Sequence, residues 1–476
     1  MKRILNATLM NQRCALFAAF FMGCVLTLAP AQSGLCEEAL GVFSSAPENV
    51  PAPKIEPPRV ATPAAKIQTP TDSKEDPTVI AVVVDLKKAI QIVDEAPPPP
   101  VEAVLQEISK AGPKAEPRAP RTFAGARNFK QLIELPDEQF DLAECILALG
   151  AEPGFELSET SEKTLKRLDD MAARAKEQLP ATPDVSDYFD ALYDVVLNRR
   201  PVEALHDERD EDFDLSRAVF KHRGSCLSLG IAALAVAHRL NAPLISGTQC
   251  PNHFFLRGTG VVKGHDVALS FDVTRPTPDN WTKLDDNFYR KWRHFDLKAE
   301  DAGEYLRPMT PKQVVSAFLA SRAGFLSRER KFEEALIDAD RALALNPRNV
   351  NALINAGYVK ESLRDLEQAE NYYKQALDVD PQSIRALNNL AFVKARDKKS
   401  SVFDAKKAEK LIEQAIKIDP DQAYLYATRA EIYAAMGDYR DATRSMQTAV
   451  SLSPKNASYR ERYMSLREFL RSSEAR

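Results

Sequence analysis

The sequence predicts an α+β domain followed by an all-α solenoid of helical hairpins, with an apolar leader and a proline-rich linker before them. Two observations lead to this prediction. The segment from Cys226 to Leu240 is apolar on nearly all sides, as in a buried helix, and two short runs of strand-like composition follow it. In the last third of the chain, X-Pro pairs recur at intervals of 34, 39 and 34 residues, as expected of stacked helical hairpins, at Pro347, Pro381, Pro420 and Pro454.

The apolar leader covers residues 1–31. Basic Lys2 and Arg3 precede the apolar run from Ala15 to Leu28, and the small residues of Ala29-Pro30-Ala31 follow it. This order is typical of a signal peptide, so we expect cleavage after Ala31 and an exported protein, periplasmic or secreted. An uncleaved N-terminal anchor is the alternative, and it is the only membrane association that the sequence predicts.

Residues 32–122 are predicted to form a disordered linker. Proline, alanine, valine and charged residues dominate this stretch, which includes four consecutive prolines from Pro97 to Pro100. Such a composition buries too little apolar surface to offset the entropy of ordering the chain. One segment has strand-like composition, Thr78–Val93 with its apolar run Val79–Val84, and is a candidate for an added strand on the folded domain.

Residues 123–308 are predicted to form the α+β domain. Apolar residues recur at three- and four-residue steps in Phe140–Leu149 and in Thr164–Leu179, so we expect two amphipathic helices there. The buried helix that starts at Cys226 follows them. The runs Phe254–Arg257 and Val267–Val273 are the predicted strands. A central helix packed on a small antiparallel sheet is therefore the expected arrangement.

Residues 311–476 are predicted to form about four helical hairpins and a capping helix. The interval of 39 residues has an excess that fits the polar stretch Asp397–Ser401, in the turn of the third hairpin. Small residues recur in register where helices must approach closely, at Ala323, Gly357, Ala391 and Ala430, then at Ala335, Ala369, Ala408 and Ala442, and again at Ala342, Ala376, Ala415 and Ala449.

This pattern resembles the tetratricopeptide repeat family over about residues 311–454. The resemblance implies a concave groove that binds a protein or peptide partner. The alternative is an array that only extends and packs against the preceding domain. The remaining segment, Ala457–Leu470, is predicted to be a polar helix that caps the last hairpin.

Composition excludes some functions and leaves others open. Of the 476 residues, 44% are hydrophobic and 28% charged, with a formal net charge of −4, and charges of both signs are interspersed. We therefore predict no nucleic-acid binding. The histidines show no metal-ligand spacing with the cysteines, so we predict no metal and no cofactor.

Three residues suggest thiol chemistry, which needs a thiolate, a base and a group that orients the base. Cys226 stands at a helix start, where unpaired backbone amides favour negative charge. His253 stands at the entry to one predicted strand and Asp272 on the next, so neighbouring strands can bring them together. A cysteine at the start of a buried helix is more often a packed thiol. The order and spacing of all three favour a site.

The segments around these residues resemble the SirB1 type of domain in the transglutaminase-like superfamily, over roughly residues 137–276. Four segments carry the resemblance: His222–Leu229, Ala237–Pro243, Pro251–Arg257 and Phe271–Thr274. It implies a papain-like triad with Cys226 as nucleophile, His253 as general base and acid, and Asp272 as the orienting group. The backbone amide of Cys226 is the expected first donor of an oxyanion hole. Gln249 and Asn252 are candidates for the second.

Two functions remain open from the sequence. The first is an exported thiol enzyme, a peptide or protein amide hydrolase or an acyl transferase that acts through a Cys226 thioester, with the repeats recruiting a protein. The second is a non-catalytic adaptor in which the domain is a binding platform. Cys250 is close to His253 in sequence. A disulfide partner and a redox switch are options for it, and a structural role is the prediction.

Overall fold

The structure is a computed structural model of the chain. It describes residues 129–474, apart from 137–139, 153, 154, 156, 199–212, 243, 244, 263, 264 and 275–283. The predicted signal peptide, the predicted linker and the strand-like run within it lie outside the described residues. Within them, a mixed domain with a small sheet is followed by an array of helices, which confirms the predicted fold class.

Helices form the first part of the mixed domain. Two of them coincide within three residues with the predicted amphipathic helices, and the central helix starts at the predicted Cys226. The helices before the sheet are α1 (Phe129–Ile133), α2 (Leu142–Gly150), α3 (Ser161–Gln178), α4 (Val185–Leu197), α5 (Leu215–Lys221) and α6 (Cys226–Arg239).

An antiparallel sheet follows, with strands in the order β1 (Ile245–Cys250), β2 (His253–Val262) and β3 (His265–Phe271). Strand β1 was not predicted, because Ser246, Gly247 and Gln249 interrupt the run of β-branched and aromatic residues that marks a strand. Cys250 pairs with His253, so only Pro251 and Asn252 form the turn between β1 and β2. Asn252 has a positive φ of 54°, as the third residue of a type II turn requires.

The two faces of strand β2 are buried against different partners. Phe254 and Leu256 face helix α6, where a Cβ on Gly230 would lie 2.6 Å from the Phe254 ring. This close approach explains a glycine in the middle of the helix. Phe255 points the other way, into a second core cluster that contains Tyr289. The sheet is thus buried on both faces at the level of His253.

Two short helices, α7 (Asp286–Arg293) and α8 (Leu297–Asp301), lead from the sheet to the array. The segment after them runs beside the outer edge of β1. The Leu306 amide donates to the Gln249 carbonyl at 2.9 Å, and the Met309 amide donates to the Gly247 carbonyl at 2.9 Å. The edge of the sheet is therefore covered by the connection to the repeats.

The array consists of paired helices followed by a last helix. The predicted small positions are buried in it: a Cβ on Gly357 would lie 2.6 Å from the Tyr373 ring. The predicted excess residues lie in the long turn between α13 and α14. The helices are α9 (Pro311–Arg328), α10 (Phe332–Leu345), α11 (Val350–Ser362), α12 (Leu366–Val379), α13 (Ile384–Arg396), α14 (Ala405–Ile418), α15 (Ala423–Met436), α16 (Tyr439–Leu452) and α17 (Ala457–Glu474).

The first hairpins of the array share their core with the mixed domain. Val314 and Phe318 of α9 belong to the same buried cluster as the apolar residues of α6. Arg322, also on α9, is fully buried and donates to the Leu149 carbonyl at 2.7 Å. Across the part of the chain that the structure describes, no helix is both long enough and apolar enough to span a bilayer.

Candidate active site

Cys226 is the first residue of helix α6. The preceding Ser225 caps the helix, and its side-chain oxygen accepts from the Ser228 amide at 3.2 Å. A Cβ on Gly224 would meet the Ser228 hydroxyl, so the chain turns into the helix through a glycine. The Cys226 side chain is half-buried and free. Its thiol therefore lies at the helix N-terminus, where backbone amides and the helix dipole favour negative charge.

His253 and Asp272 form a buried pair. His253 is the first residue of β2, and Asp272 directly follows β3. Because these strands are neighbours, the imidazole Nε2 lies 2.8 Å from Asp272 Oδ2. Both side chains are almost completely excluded from solvent. Since Asp272 occupies Nε2, Nδ1 is the nitrogen left to exchange a proton with a thiol.

Several donors hold the Asp272 carboxylate. The Thr274 amide and hydroxyl donate to Oδ1 at 2.9 and 2.7 Å, and the Tyr289 hydroxyl lies 3.5 Å from Oδ2. Burial by itself would raise the pKa of Asp272, but the charge and hydrogen bond of His253 and the two Thr274 bonds lower it overall. Asp272 is therefore ionised at neutral pH.

The charge on Asp272 in turn sets the protonation of His253. Burial alone would lower the pKa of this histidine. The Asp272 charge, its hydrogen bond and a side-chain hydrogen bond with Cys226 outweigh burial and raise the pKa to about 9. The structure thus brings the three predicted residues together and favours an imidazolium between a carboxylate and a thiol. Their catalytic roles stay predictions.

An aromatic layer from α7 encloses the pair. The Trp292 ring contacts the His253 ring edge-on, with centroids 5.1 Å apart, and Tyr289 stacks on Phe255 with centroids 4.1 Å apart. Rings at these distances exclude water and strengthen the charge interaction between His253 and Asp272. Sequence reasoning missed this layer. The available signal was the i, i+3 spacing of Tyr289 and Trp292, which places both rings on one face of a helix.

The two candidate oxyanion donors lie in different positions. The Gln249 amide nitrogen donates to the Glu304 carbonyl at 3.2 Å and to Glu304 Oε1 at 3.0 Å. Both of its N–H groups are therefore used, and the suggestion of Gln249 as a donor is corrected. The Asn252 side chain is exposed, and its Oδ1 accepts from Arg385 at 3.3 Å. The Cys226 amide, at the helix start, stays the predicted first donor.

The other described cysteines are packed in the interior. Cys145 and Cys250 are buried and free. Burial raises the pKa of Cys145 to about 12 and raises that of Cys250 as well. Cys250 belongs to the core cluster of Phe255 and Tyr289, as a structural role requires. Among the described residues, no group of three or more histidine, cysteine or acidic side chains is arranged to hold a metal ion.

Comparisons with known proteins agree with this architecture. Residues 162–320 match the transglutaminase-like superfamily, and residues 350–383 and 423–456 match the tetratricopeptide repeat. The chain has a transglutaminase-like domain followed by tetratricopeptide repeats. The match to the transglutaminase-like domain ends inside α9, the first helix of the array, where the shared core also extends. Tetratricopeptide repeats support a role in protein–protein interaction.

Individual relatives cover parts of the chain. Protein adenylyltransferase fic-1 of Caenorhabditis elegans is 34% identical over 98 residues, which are 20% of this chain and 19% of that protein. The chain thus spans about a fifth of the length of this curated relative. A thermophilic tetratricopeptide-repeat protein of Thermus thermophilus is 19% identical, with a TM-score of 0.30, over 33% of this chain and 82% of that one. The pilF protein of Pseudomonas aeruginosa is 16% identical, with a TM-score of 0.31, over 34% and 71%.

Proposed function

We propose that the protein is an exported thiol enzyme that cleaves or transfers an acyl group from a peptide or protein amide through a thioester on Cys226. One observation supports this most directly. The buried His253 imidazole lies 2.8 Å from the Asp272 carboxylate, and Cys226 is among the groups that raise the pKa of this histidine. A thiol, a base and an orienting carboxylate are the groups that acyl transfer needs.

The reaction consists of two exchanges at one carbonyl carbon. The Cys226 sulfur, as a thiolate, attacks the amide carbon, and the helix N-terminus stabilises the oxyanion that forms. The His253 imidazolium gives its proton to the leaving amine, the C–N bond breaks and a thioester remains. Water or a second amine then attacks the thioester and transfers a proton to His253. The C–S bond breaks, which releases an acid or a new amide and restores the imidazolium–thiolate pair.

Asp272 acts in both exchanges without bonding to the substrate. Its Oδ2 accepts a hydrogen bond from the Nε2–H of His253, which orients the ring and leaves Nδ1 for the thiol. It also stabilises the charged imidazole, as the raised pKa of His253 indicates. The array supplies the protein-binding part of the function, and we propose that it recruits the polypeptide that is cleaved or modified.

The test is the reactivity of the Cys226 thiol in the purified protein. Iodoacetamide alkylation would be followed from pH 5.5 to 9.5 by mass spectrometry, with Cys226→Ser as the blank and Cys145→Ser as the control for a buried thiol. We expect rapid alkylation at pH 6, where a free thiol with a pKa of about 8.5 is almost fully protonated. His253→Ala should abolish this low-pH reactivity.

A second measurement separates the enzyme from the adaptor. An amide-bearing peptide mixture would be incubated with the protein, and hydroxylamine would be added to capture a thioester as a hydroxamate. Hydroxamates that form with the unmodified protein and not with Cys226→Ser support the enzyme. An inert Cys226 in a folded protein, together with no hydroxamate, would refute it and leave the non-catalytic adaptor.

A further inference from the structure

The repeat array touches the turn that carries His253. Arg385, near the start of α13 in the third hairpin, donates from Nη1 to Asn252 Oδ1 at 3.3 Å. The same guanidinium donates to Asn351 Oδ1 at 3.2 Å and to Asn355 Oδ1 at 3.1 Å, both on α11. One side chain therefore links two helices of the array to a residue directly before the candidate base.

The turn at this point is short. Pro251 and Asn252 are its only two residues, because Cys250 and His253 already pair across the strands. Asn252 has a φ of 54°, and proline fixes the backbone before it. A displacement of Asn252 is therefore transmitted to His253 through one peptide bond. The bond between His253 and Asp272 spans two strands and depends on this position.

A second contact joins the β1–β2 hairpin to the array, through a residue of strand β1. Glu304 is buried and accepts from Gln249 Nε2 at 3.0 Å. It also accepts from the Val350 amide at 3.2 Å and from Asn346 Nδ2 at 3.2 Å, which are at the entry to α11. The β1–β2 hairpin is thus bound to the array both at its turn, through Asn252, and on its first strand, through Gln249.

We propose that Arg385 is a positioning residue of the active site: it fixes the Asn252 turn and thereby keeps His253 aligned between Cys226 and Asp272. This proposal rests on the proposed function, since it concerns the base of the same site. The guanidinium is suited to the task because it is planar and presents several donors in fixed directions. Its N–H groups donate to three side-chain amide oxygens, one on the Asn252 turn and two on helix α11.

The experiment is a double-mutant cycle in the full chain with Arg385→Ala, Asn252→Gly and both together. Asn252→Gly removes the acceptor oxygen and keeps a residue that tolerates the positive φ. Each single change should slow Cys226 alkylation at pH 6 by about tenfold, the size expected when a catalytic group moves by a fraction of an ångström. The double variant should be no slower than the slower single variant, because both changes remove the same contact between Arg385 and Asn252.

Control variants separate positioning from folding. Arg429→Ala removes an arginine of the fourth hairpin that bonds Glu413 and Ser445 within the array, and it should leave alkylation unchanged. Arg385→Lys should restore only part of the rate, because lysine cannot present the fork of donors. Thermal midpoints of all variants would be compared in parallel. Additive losses in the cycle, or a wild-type rate in Arg385→Ala, would overturn the proposal.

The pKa of His253 gives a readout that does not depend on the reactivity of Cys226. It would be followed by NMR of the histidine ring protons in the same variants. We expect Arg385→Ala and Asn252→Gly to lower the pKa of His253 from about 9, because a looser ring loses its contact with Asp272. An inert wild-type thiol with these shifts would refute the proposed function alone. Unchanged titration with a reactive thiol would refute the positioning role alone.

Discussion

Replacement of Asp272 by asparagine removes the charge that holds His253 protonated. Burial alone would lower the pKa of His253 from its ordinary 6.5, and the interactions with Asp272 are the main reason that it rises to about 9. Asparagine keeps an acceptor for the ring N–H but loses the charge. The pKa of His253 should fall by at least about 2 pH units, or roughly 3 kcal/mol, so the ratio of the imidazolium–thiolate pair to the neutral imidazole–thiol pair falls about 100-fold.

Two assays measure this effect. The pH dependence of Cys226 alkylation should lose its low-pH component, and the NMR titration of His253 should move to lower pH. The matched control is Asp141→Asn. Asp141 is a buried aspartate that caps α2, and the substitution keeps this cap because asparagine caps helices nearly as well. A His253 midpoint that stays near 9, together with an unchanged alkylation rate at pH 6, would refute the reasoning.

The same pair predicts the pH dependence of stability. A histidine whose pKa is raised on folding contributes stability that is complete below about pH 6.5 and is lost as pH rises through about 9. The difference in free energy of unfolding between wild type and Asp272→Asn should therefore be present at pH 6 and shrink above pH 9. Urea unfolding at both pH values measures it. A difference that grows at high pH would contradict this sign.

Two further substitutions test the contacts between the domain and the array. Arg322→Ala removes the partner that lies 2.6 Å from the buried Asp338 carboxylate and leaves it the longer pair with Arg341, at 3.7 Å, so we expect a loss of about 3 kcal/mol in urea unfolding. Lys166→Ala breaks an exposed pair with Asp170 and should cost about 1 kcal/mol or less. Equal losses of stability in Arg322→Ala and Lys166→Ala would contradict the expected difference between a buried and an exposed ion pair. Burial raises the pKa of Glu304 to about 8, so its contribution to stability is complete below about pH 4.5 and is lost as pH rises through 8. Glu304→Gln should therefore flatten the fall in thermal midpoint between pH 5 and 9. If the fall is the same in this variant, ionisation of Glu304 is not its cause.

The parts of the fold that local sequence determines could be predicted. Helix α6 is apolar on nearly every side and begins after a glycine and a capping serine, so both its burial and its start at Cys226 followed from the sequence. The hairpins followed from recurring small residues, which pack without space for a larger side chain, as Gly357 shows against Tyr373.

The parts that depend on distant contacts could not be predicted. Strand β1 is polar along much of its length and exists because β2 pairs with it on one side and the segment at Met309 on the other. Gln249 was a candidate oxyanion donor by proximity in sequence, yet Glu304, which is 55 residues away, takes its amide. The contact between Arg385 and Asn252 joins residues 133 positions apart. Neither periodicity nor spacing encodes such pairs.

The predicted division near residue 310 separates two sequence patterns, while the packing follows a different division. Val314 and Phe318 lie in the core of the transglutaminase-like domain, and the first two hairpins share both of its core clusters. Helix α13 of the third hairpin also contributes Ala386, Leu390 and Val393 to the second cluster, whereas the clusters around Ile412 and Met446 contain residues of the array alone. The first two hairpins therefore belong energetically to the domain that carries His253, because their removal would expose its apolar core. The third hairpin in turn contacts the turn before His253 through Arg385, so a partner bound to α13 is one residue contact away from the candidate base.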